Sequence, residues 1–451
     1  MRTASTVEAI RAAEADAIAS APGDALMRRA AAGVARACIG RLGGAYGRRV
    51  HLIVGAGDNG GDALYAGVAL LRRGTLVTAD LVAGSAHPRA LAAFLEAGGR
   101  IGRSGAPDLV VDGVVGIGGR PGLRPAAAEA FEAVAGVPIV AVDIPSGVDV
   151  DTGETPEPHV EADLTVTFGA LRHAHLVDPA AAACGDVVLV DLGVEFPPGD
   201  VEALEEVDVR QLLPTPDDHD HKYTRGVVGV RAGSARYPGA AVLAVGGANT
   251  GFAGMVRYVG AAVDAVLTAH PEVVGDGKVQ AWVVGSGTDT DAESHLFAAG
   301  GVPVVIDADA LALLPGAAPA DAVLTPHAGE LAALLDVTRE QIEDRPLHFV
   351  RRAASTYDAV VLLKGRRTLI ARPDGRVRVN DTGTPWLATA GSGDVLAGLI
   401  GSLLAAGMSG FDAASAGAWL HGRAAEALGE APLTATLLPS AIQGVVEDLL
   451  A

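Results

Sequence analysis

The chain has 451 residues, beyond the ~250 at which single cores stop growing, so two domains are expected. About half of it is apolar but only 4% is aromatic, so cores must be built from Ala, Val and Leu, as in parallel strands covered by helices. A net charge of -20 with no offsetting Lys/Arg block disfavours nucleic acid and anionic membranes as partners, and a small anion would need a local site.

Thr6 to Ile39 carries apolar residues at helical spacing, interrupted at Pro22-Gly23, and predicts two helices before the first strand. Six short β-branched runs follow, from Arg49, Leu76, Asp108, Pro138, Leu164 and Asp186, separated by Ala-rich helical segments. That alternation is a βαβ series and implies a mostly parallel, Rossmann-like sheet. Gly193 to Thr215, with PPGD and LLPTP around an acidic run, shows neither period and reads as a linker, placing domains at 1–205 and 206–451. A second series begins at Val227, Met255, Val279, Val302, Ala322 and Ala359. It then turns through Pro373-Asp-Gly375, between Thr368–Ala371 and Val377–Val379, as a hairpin. The fold class is therefore α/β in both halves. Cys38 and Cys184 are too distant for a metal or redox pair and read as reduced thiols, and the N-terminus lacks an apolar signal core. No stretch reaches the ~18 unbroken apolar residues of a membrane span, so a cytoplasmic protein is expected.

Ligands of open parallel sheets collect at strand carboxyl ends, so the turns there carry the chemistry. Gly55-Ala-Gly57-Asp58-Asn59-Gly60 fits G-x-G-x-x-G, yet Asp58 and Asp62 are poor company for a dinucleotide pyrophosphate. Asp112, Asp143 and Ser146 end the later strands. Asn59, Asp112 and Ser146 would offer amide, carboxylate and hydroxyl oxygens suited to a hard cation, although the same residue types serve as turn formers and caps. VGAGDNGGD, VVDGVVGIGGRPG, VDIPSGVD and ALMRRAAAGVA resemble the NAD(P)H-hydrate epimerase domain of nicotinamide nucleotide repair enzymes, across nearly all of Thr6 to Leu192. The resemblance implies that Asp58, Asn59, Gly60, Gly61, Asp62, Gly116, Ile117, Gly118, Gly119, Arg120, Pro121 and Gly122 surround the hydrated nucleotide, that Asp143 acts near the reacting carbon, and that Asn59, Asp112 and Ser146 hold potassium. This chain departs from the family at Asp58, where Asn is usual, and at Arg172-His173, where Lys-Pro is usual.

In the second half, Gly391-Ser-Gly393 precedes Asp394 in an otherwise uncharged apolar stretch, and a helix starting at Asp394 would aim free N–H groups at an anion. A plain N-cap is the alternative. Lysine occurs only as Lys222, Lys278 and Lys364, and the last stands in Lys364-Gly365-Arg366-Arg367-Thr368 at a strand end, suited to phosphates. His327 and Glu330 follow another strand, Asp307 and Asp309 another, and Gly285-Ser-Gly287-Thr-Asp289 another. With His221-Lys222 and Tyr237-Pro-Gly239-Ala240, these motifs resemble the ribokinase-like, ADP-dependent (S)-NAD(P)H-hydrate dehydratase domain over about Asp218 to Ala451. That implies Lys364, Gly365, Arg366, Arg367, Thr368 and Gly393 for ADP, and Ala240, Gly287, His327 and Asp394 for the hydrate, with Asp394 as base and Mg2+ alongside ADP. The partners implied are hydrated NADH or NADPH and ADP, in a homo-oligomer, although the apolar helix Ala413 to Leu420 suits an interface and a core equally. A ribokinase-like small-molecule kinase with a non-catalytic first domain stays open, because a glycine-rich base loop is common to that fold.

Overall fold

The computed structural model describes residues 1–20, 24–288, 301–314 and 316–451. Pro22-Gly23 and Asp289 lie outside the described residues. Contacts divide the chain into Thr3–Asp200 and a second unit of Met1–Arg2 with Val201–Ala451.

In the first unit, β1 (Arg2–Ser5) precedes the helices Val7–Ser20 and Ala25–Leu42. The strands β2 (Arg49–Val54), β3 (Leu76–Leu81), β4 (Arg100–Ile101), β5 (Leu109–Gly113), β6 (Ile139–Val142), β7 (Leu164–Phe168), β8 (Leu171–Arg172) and β9 (Asp186–Val190) follow. Seven of them form a parallel sheet in the order β4-β3-β2-β5-β6-β7-β9. Leu52, Val54, Val111 and Val142 are fully buried, as strands covered on both faces demand. The chain runs outward in opposite directions from β2 and β5, and the crevice at that reversal lies above their carboxyl ends, where Gly55 and Val114 begin their loops. Outside this sheet, β1 pairs in parallel with β8, placing Ser5 beside Arg172.

The second unit holds β10 (Val201–Ala203), β11 (Val227–Arg231), β12 (Met255–Tyr258), β13 (Ala281–Val284), β14 (Val304–Ile306), β15 (Ala322–Leu324), β16 (Val360–Leu363), β17 (Thr368–Ala371) and β18 (Val377–Asn380). They are ordered β12-β11-β13-β14-β15-β16-β17-β18-β10. The hairpin expected at Pro373-Asp-Gly375 is the antiparallel pair of β17 and β18, with Ala371 opposite Val377. The linker expected over Gly193 to Thr215 is partly structured: it contains β10 and a helix, Glu206–Leu212, started by a capping box of Glu205 and Asp208. Elements this short complete too few turns to show a period.

Two helices frame the second site. Pro238–Ala248 and Ser392–Ala405 press backbone to backbone: a methyl on Gly247 would collide with the Val395 carbonyl, and one on Gly398 with the Ala244 carbonyl. The helix Gly410–Ala427 contributes Ala413, Ala414, Ala416 and Leu420, all fully buried, to the hydrophobic core of this unit. Among the described residues, no helix is long and apolar enough to cross a membrane.

Candidate functional site

The crevice of the first unit is a cleft of about 1390 Å³. Asp58, Asn59, Asp62, Asp143 and the loop Gly116–Gly122 line it, while Gly60 and Gly61 lie behind, packed against Gly55 and Met27. The loop must pass close: a methyl on Gly116 would stand 2.9 Å from Asp143 Oδ2 and 3.2 Å from Asn59 Oδ1. Below it, Asp112 is fully buried. Its Oδ1 accepts from Val114 N at 3.1 Å and Ser146 Oγ at 2.7 Å, and its Oδ2 accepts from Ser146 N at 2.7 Å. Burial outweighs these bonds and raises its pKa to about 6. Asp112 and Ser146 thus come together directly, and Asn59 reaches the same loop from the helix Asp58–Leu71.

Asp143 is held from five sides. Its φ of 66° is left-handed, which Asp tolerates better than most residues. Ile117 N donates to Oδ2 at 3.2 Å, Thr167 Oγ1 donates to Oδ1 at 3.1 Å, and the Arg172 guanidinium pairs with Oδ1 at 3.2 Å. Arg172 is itself buried and also donates to the carbonyls of Phe168, at 2.9 Å, and Ala170. The Asp143 N–H reaches Val166 O at 2.7 Å. Its carbonyl sits 2.8 Å from His175 Nε2, and His175 Nδ1 accepts from Arg172 N at 3.0 Å. Those two backbone partners require a neutral ring protonated on Nε2, in keeping with a pKa lowered by burial to about 4. Asp62 is the contrasting carboxyl. Its Oδ1 is enclosed without a hydrogen-bond partner, and burial, then Asp143, Asp58 and Glu14, push its pKa well up.

In the second unit the helix containing Asp394 starts at Ser392, with Gly391 at the cap in a left-handed conformation of φ 89°. Asp394 is therefore the third residue of the helix, within its first turn, which removes the N-cap alternative and corrects a helix start at Asp394 itself. Gly391 can take that conformation without a Cβ penalty, and this places the first free N–H groups beside Lys364. A Cβ on Gly393 would lie 3.5 Å from Lys364 Nζ. Burial and then the neighbouring Asp307 raise the Asp394 pKa to about 6, against hydrogen bonding from Ser286 and the charge of Lys364. Lys364 Nζ lies 2.9 Å from Asp307 Oδ1 and 3.9 Å from Glu330 Oε2. The carboxylates more than repay its desolvation, so its pKa is raised and it stays charged.

His327 caps the helix Ala328–Leu335, accepting from Glu330 N at 3.1 Å through Nδ1, and its side chain remains largely exposed beside Lys364. Ala240 and Gly287 touch, with only 2.9 Å left for a Cβ on Gly287. Gly365 and Arg366 are exposed at the β16–β17 corner, and Thr368 Oγ1 donates to Gly365 O at 3.4 Å. Arg367 instead pairs with Asp381 at 3.3 Å. A separate hollow of about 540 Å³, lined by Gly383, Thr384, Trp386 and Glu430, includes none of the assigned side chains.

Sequence reasoning passed over Glu14, Thr167 and His175 in the first site and left Ser286 and Asp307 without roles in the second. For Asp307 a signal existed, since it ends a strand in the same manner as Asp112. His175 offered none beyond its type.

Comparison with known proteins agrees in extent with the two units. The family described as YjeF-related protein N-terminus matches residues 23–174, and the family described as NAD(P)H-hydrate dehydratase matches residues 228–446. The chain is 48% identical over 451 residues to the bifunctional NAD(P)H-hydrate repair enzyme Nnr of Mycobacterium leprae, covering 94% of each. It is 41% identical over 251 residues to the ADP-dependent (S)-NAD(P)H-hydrate dehydratase of Neisseria meningitidis, covering 50% of this chain and 85% of that one. Among solved structures, the Bacillus subtilis ADP/ATP-dependent NAD(P)H-hydrate dehydratase crystallised with ATP/Mg2+ matches with 28% identity and a TM-score of 0.52, over 55% of this chain and 99% of that one.

Proposed function

The chain belongs to the bifunctional NAD(P)H-hydrate repair enzyme family, and on that premise we propose which side chains carry each of its two reactions. The first domain epimerises the R and S hydrates of NADH and NADPH, and the second dehydrates the S hydrate at the expense of ADP, releasing AMP and phosphate. The kinase alternative is not favoured.

In the second domain, Asp394 takes the proton of the C6 hydroxyl on the hydrated ring. The hydroxyl oxygen then bonds to the β phosphorus of ADP, and AMP departs with the electrons of the bridging P–O bond. Loss of phosphate from C6 and of a proton from C5 restores the dihydronicotinamide ring of NADH or NADPH. Gly393 and the following free N–H groups face the charge that grows on the transferred phosphate, and Lys364 neutralises it from the other side. Gly365, Arg366, Arg367 and Thr368 are read as the rest of the ADP site, and Ala240, Gly287 and His327 as hydrate contacts. Mg2+, when bound, offsets charge on the nucleotide phosphates. The observation that carries this reading is a carboxyl in the first turn of a helix, next to the free N–H of Gly393 and close to the Lys364 ammonium, which Asp307 holds in place.

In the first domain, Asp143 moves the proton that allows the ring to open at C6 and reclose on the other face. Asp58, Asn59, Asp62 and Gly116 to Gly122 surround the substrate in the cleft. The purely oxygen donor set of Asn59, Asp112 and Ser146 fits a hard monovalent cation, and these residues would hold potassium, whose charge fixes the loops around the substrate. Cys38 and Cys184 are buried and form no disulfide, which supports a cytoplasmic setting.

The test supplies R and S hydrates separately with ADP and Mg2+ and follows NADH absorbance. Consumption of both hydrates is expected. An Asp394→Asn variant should bind ADP and lose turnover by about 10²- to 10⁴-fold. Retained turnover reassigns the base.

A further inference from the structure

Behind Asp394 lies a second carboxylate that neither domain's assigned chemistry uses. Asp307 ends β14 and is 2% exposed, yet it is fully engaged. Its Oδ1 accepts from Thr325 Oγ1 at 2.8 Å and from Lys364 Nζ at 2.9 Å, and its Oδ2 accepts from Ser286 Oγ at 3.1 Å. Ser286 is 1% exposed and also hydrogen-bonds toward Asp394. Four strand ends, those of β13, β14, β15 and β16, are thus tied at one buried anion. Of the three side chains it grips, Lys364 and Ser286 are the ones that face the base.

We propose that Asp307 is a positioning residue of the dehydratase, holding the Lys364 ammonium at the phosphate site and the Ser286 hydroxyl beside Asp394, and that its fixed charge sets the pH at which Asp394 can act as base. This rests on the reading of Asp394 as the base. The physical argument is geometric. A lysine on a four-carbon stem has costly rotamer freedom, and a buried carboxylate 2.9 Å away removes it before the nucleotide arrives. The ammonium keeps two further N–H groups for phosphate oxygens. The Ser286 hydroxyl has a single hydrogen, so it bonds to one of the two carboxylates at a time, and Asp307 and Asp394 share it.

The groups around Asp394 have opposing effects. The Asp307 charge disfavours a second carboxylate, and Lys364 and the Ser286 hydroxyl favour it. Glu330, on the helix Ala328–Leu335, acts on Lys364 from the far side, with His327 as its capping partner. His421, on the helix Gly410–Ala427, contacts the Ser392 backbone and is neutral, its pKa lowered by burial to about 4. The net result keeps Asp394 in a range where it accepts a proton near neutral pH and can also give it up.

The test measures kcat/KM for the S hydrate from pH 5 to 8, at saturating ADP and Mg2+, for the parent, Asp307→Asn and Ser286→Ala. Asp307→Asn keeps shape and an acceptor oxygen but removes the charge, so the acid limb should move to lower pH by about 1 unit, with a raised KM for ADP. Ser286→Ala removes a donor to the carboxylate, so the acid limb should move the opposite way. Displacements in opposite directions support the proposal, because loss of packing alone would lower the plateau and leave the limb in place. Acid limbs that coincide with the parent, or move together, overturn it. Should Asp307→Asn not fold, Ser286→Ala decides alone, upward displacement supporting and no displacement refuting. Asp394→Asn run alongside separates the two ideas: if it turns over normally, the base assignment fails; if it is inactive while the limbs stay fixed, only the role of Asp307 fails.

Discussion

Arg172 is a buried cation that cannot release a proton, and its substitution offers a sharp test of the first site. In Arg172→Met the long apolar stem is retained, but the Asp143 carboxylate loses its ion pair, and the carbonyls of Phe168 and Ala170 each lose the guanidinium as a donor. Removing one partner of a buried pair costs about 3 to 5 kcal/mol. Asp143 is then left without the cation that fixes its carboxylate, so it no longer serves the proton transfer. Initial rates with the R hydrate, which must be epimerised first, should fall by about 10²- to 10⁴-fold toward the uncatalysed interconversion, while the S hydrate is consumed as by the parent. Arg172→Lys, which keeps the charge but cannot span Asp143 and both carbonyls, should be milder, losing about 1 kcal/mol per missing hydrogen bond. A folded Arg172→Met enzyme that consumes R hydrate at the parental rate would refute the idea that this pair holds the first site in working order.

Three further outcomes are expected. With Asp394 near a pKa of about 6, the protonated form cannot act as base, so kcat/KM for the S hydrate should fall about tenfold per pH unit below pH 6; a flat profile down to pH 5 contradicts the assignment. Gly116→Ala places a methyl 2.9 Å from Asp143 Oδ2, and R-hydrate consumption should drop at least about tenfold with no change for the S hydrate, since a 1 Å displacement of a catalytic group can cost about 10²-fold. His175 and His421 are both lowered to about 4 by burial, so the unfolded chain takes up protons below 6.5 that the native state refuses. Stability should therefore fall from pH 6.5 toward 4 by up to about 3 kcal/mol for each ring, and a Tm unchanged across that window would show that the rings are not buried neutral.

Much of this architecture was legible because parallel strands and their glycine turns leave long, repeated marks in the sequence. Runs such as Leu52 to Val54 and Val304 to Ile306 are apolar on both faces, and the polar residues that end such strands fall at one edge of the sheet by topology alone. What escaped notice was either too short or too dependent on distant partners. β1, β8 and β10 are four residues or fewer, and Val201 to Ala203 becomes a strand only because β18 lies beside it. The helix starts at Ser392, two residues before the expected Asp394, because Gly391 takes the left-handed cap. His175, Thr167 and Ser286 act by what they touch, and neither residue type nor spacing announces a contact between loops that are far apart in the chain.

The glycine contacts between Pro238–Ala248 and Ser392–Ala405 bear on how the dehydratase can be retuned. With their spines pressed together, the rods that carry Ala240 and Asp394 form a rigid jaw whose gape has no adjustment of its own. A variant meant to admit a bulkier alcohol must be sought in the rim, at Ser234 to Tyr237 or Gly285 to Thr288. Any change along the spines would spread the aperture and displace the proton acceptor in one movement.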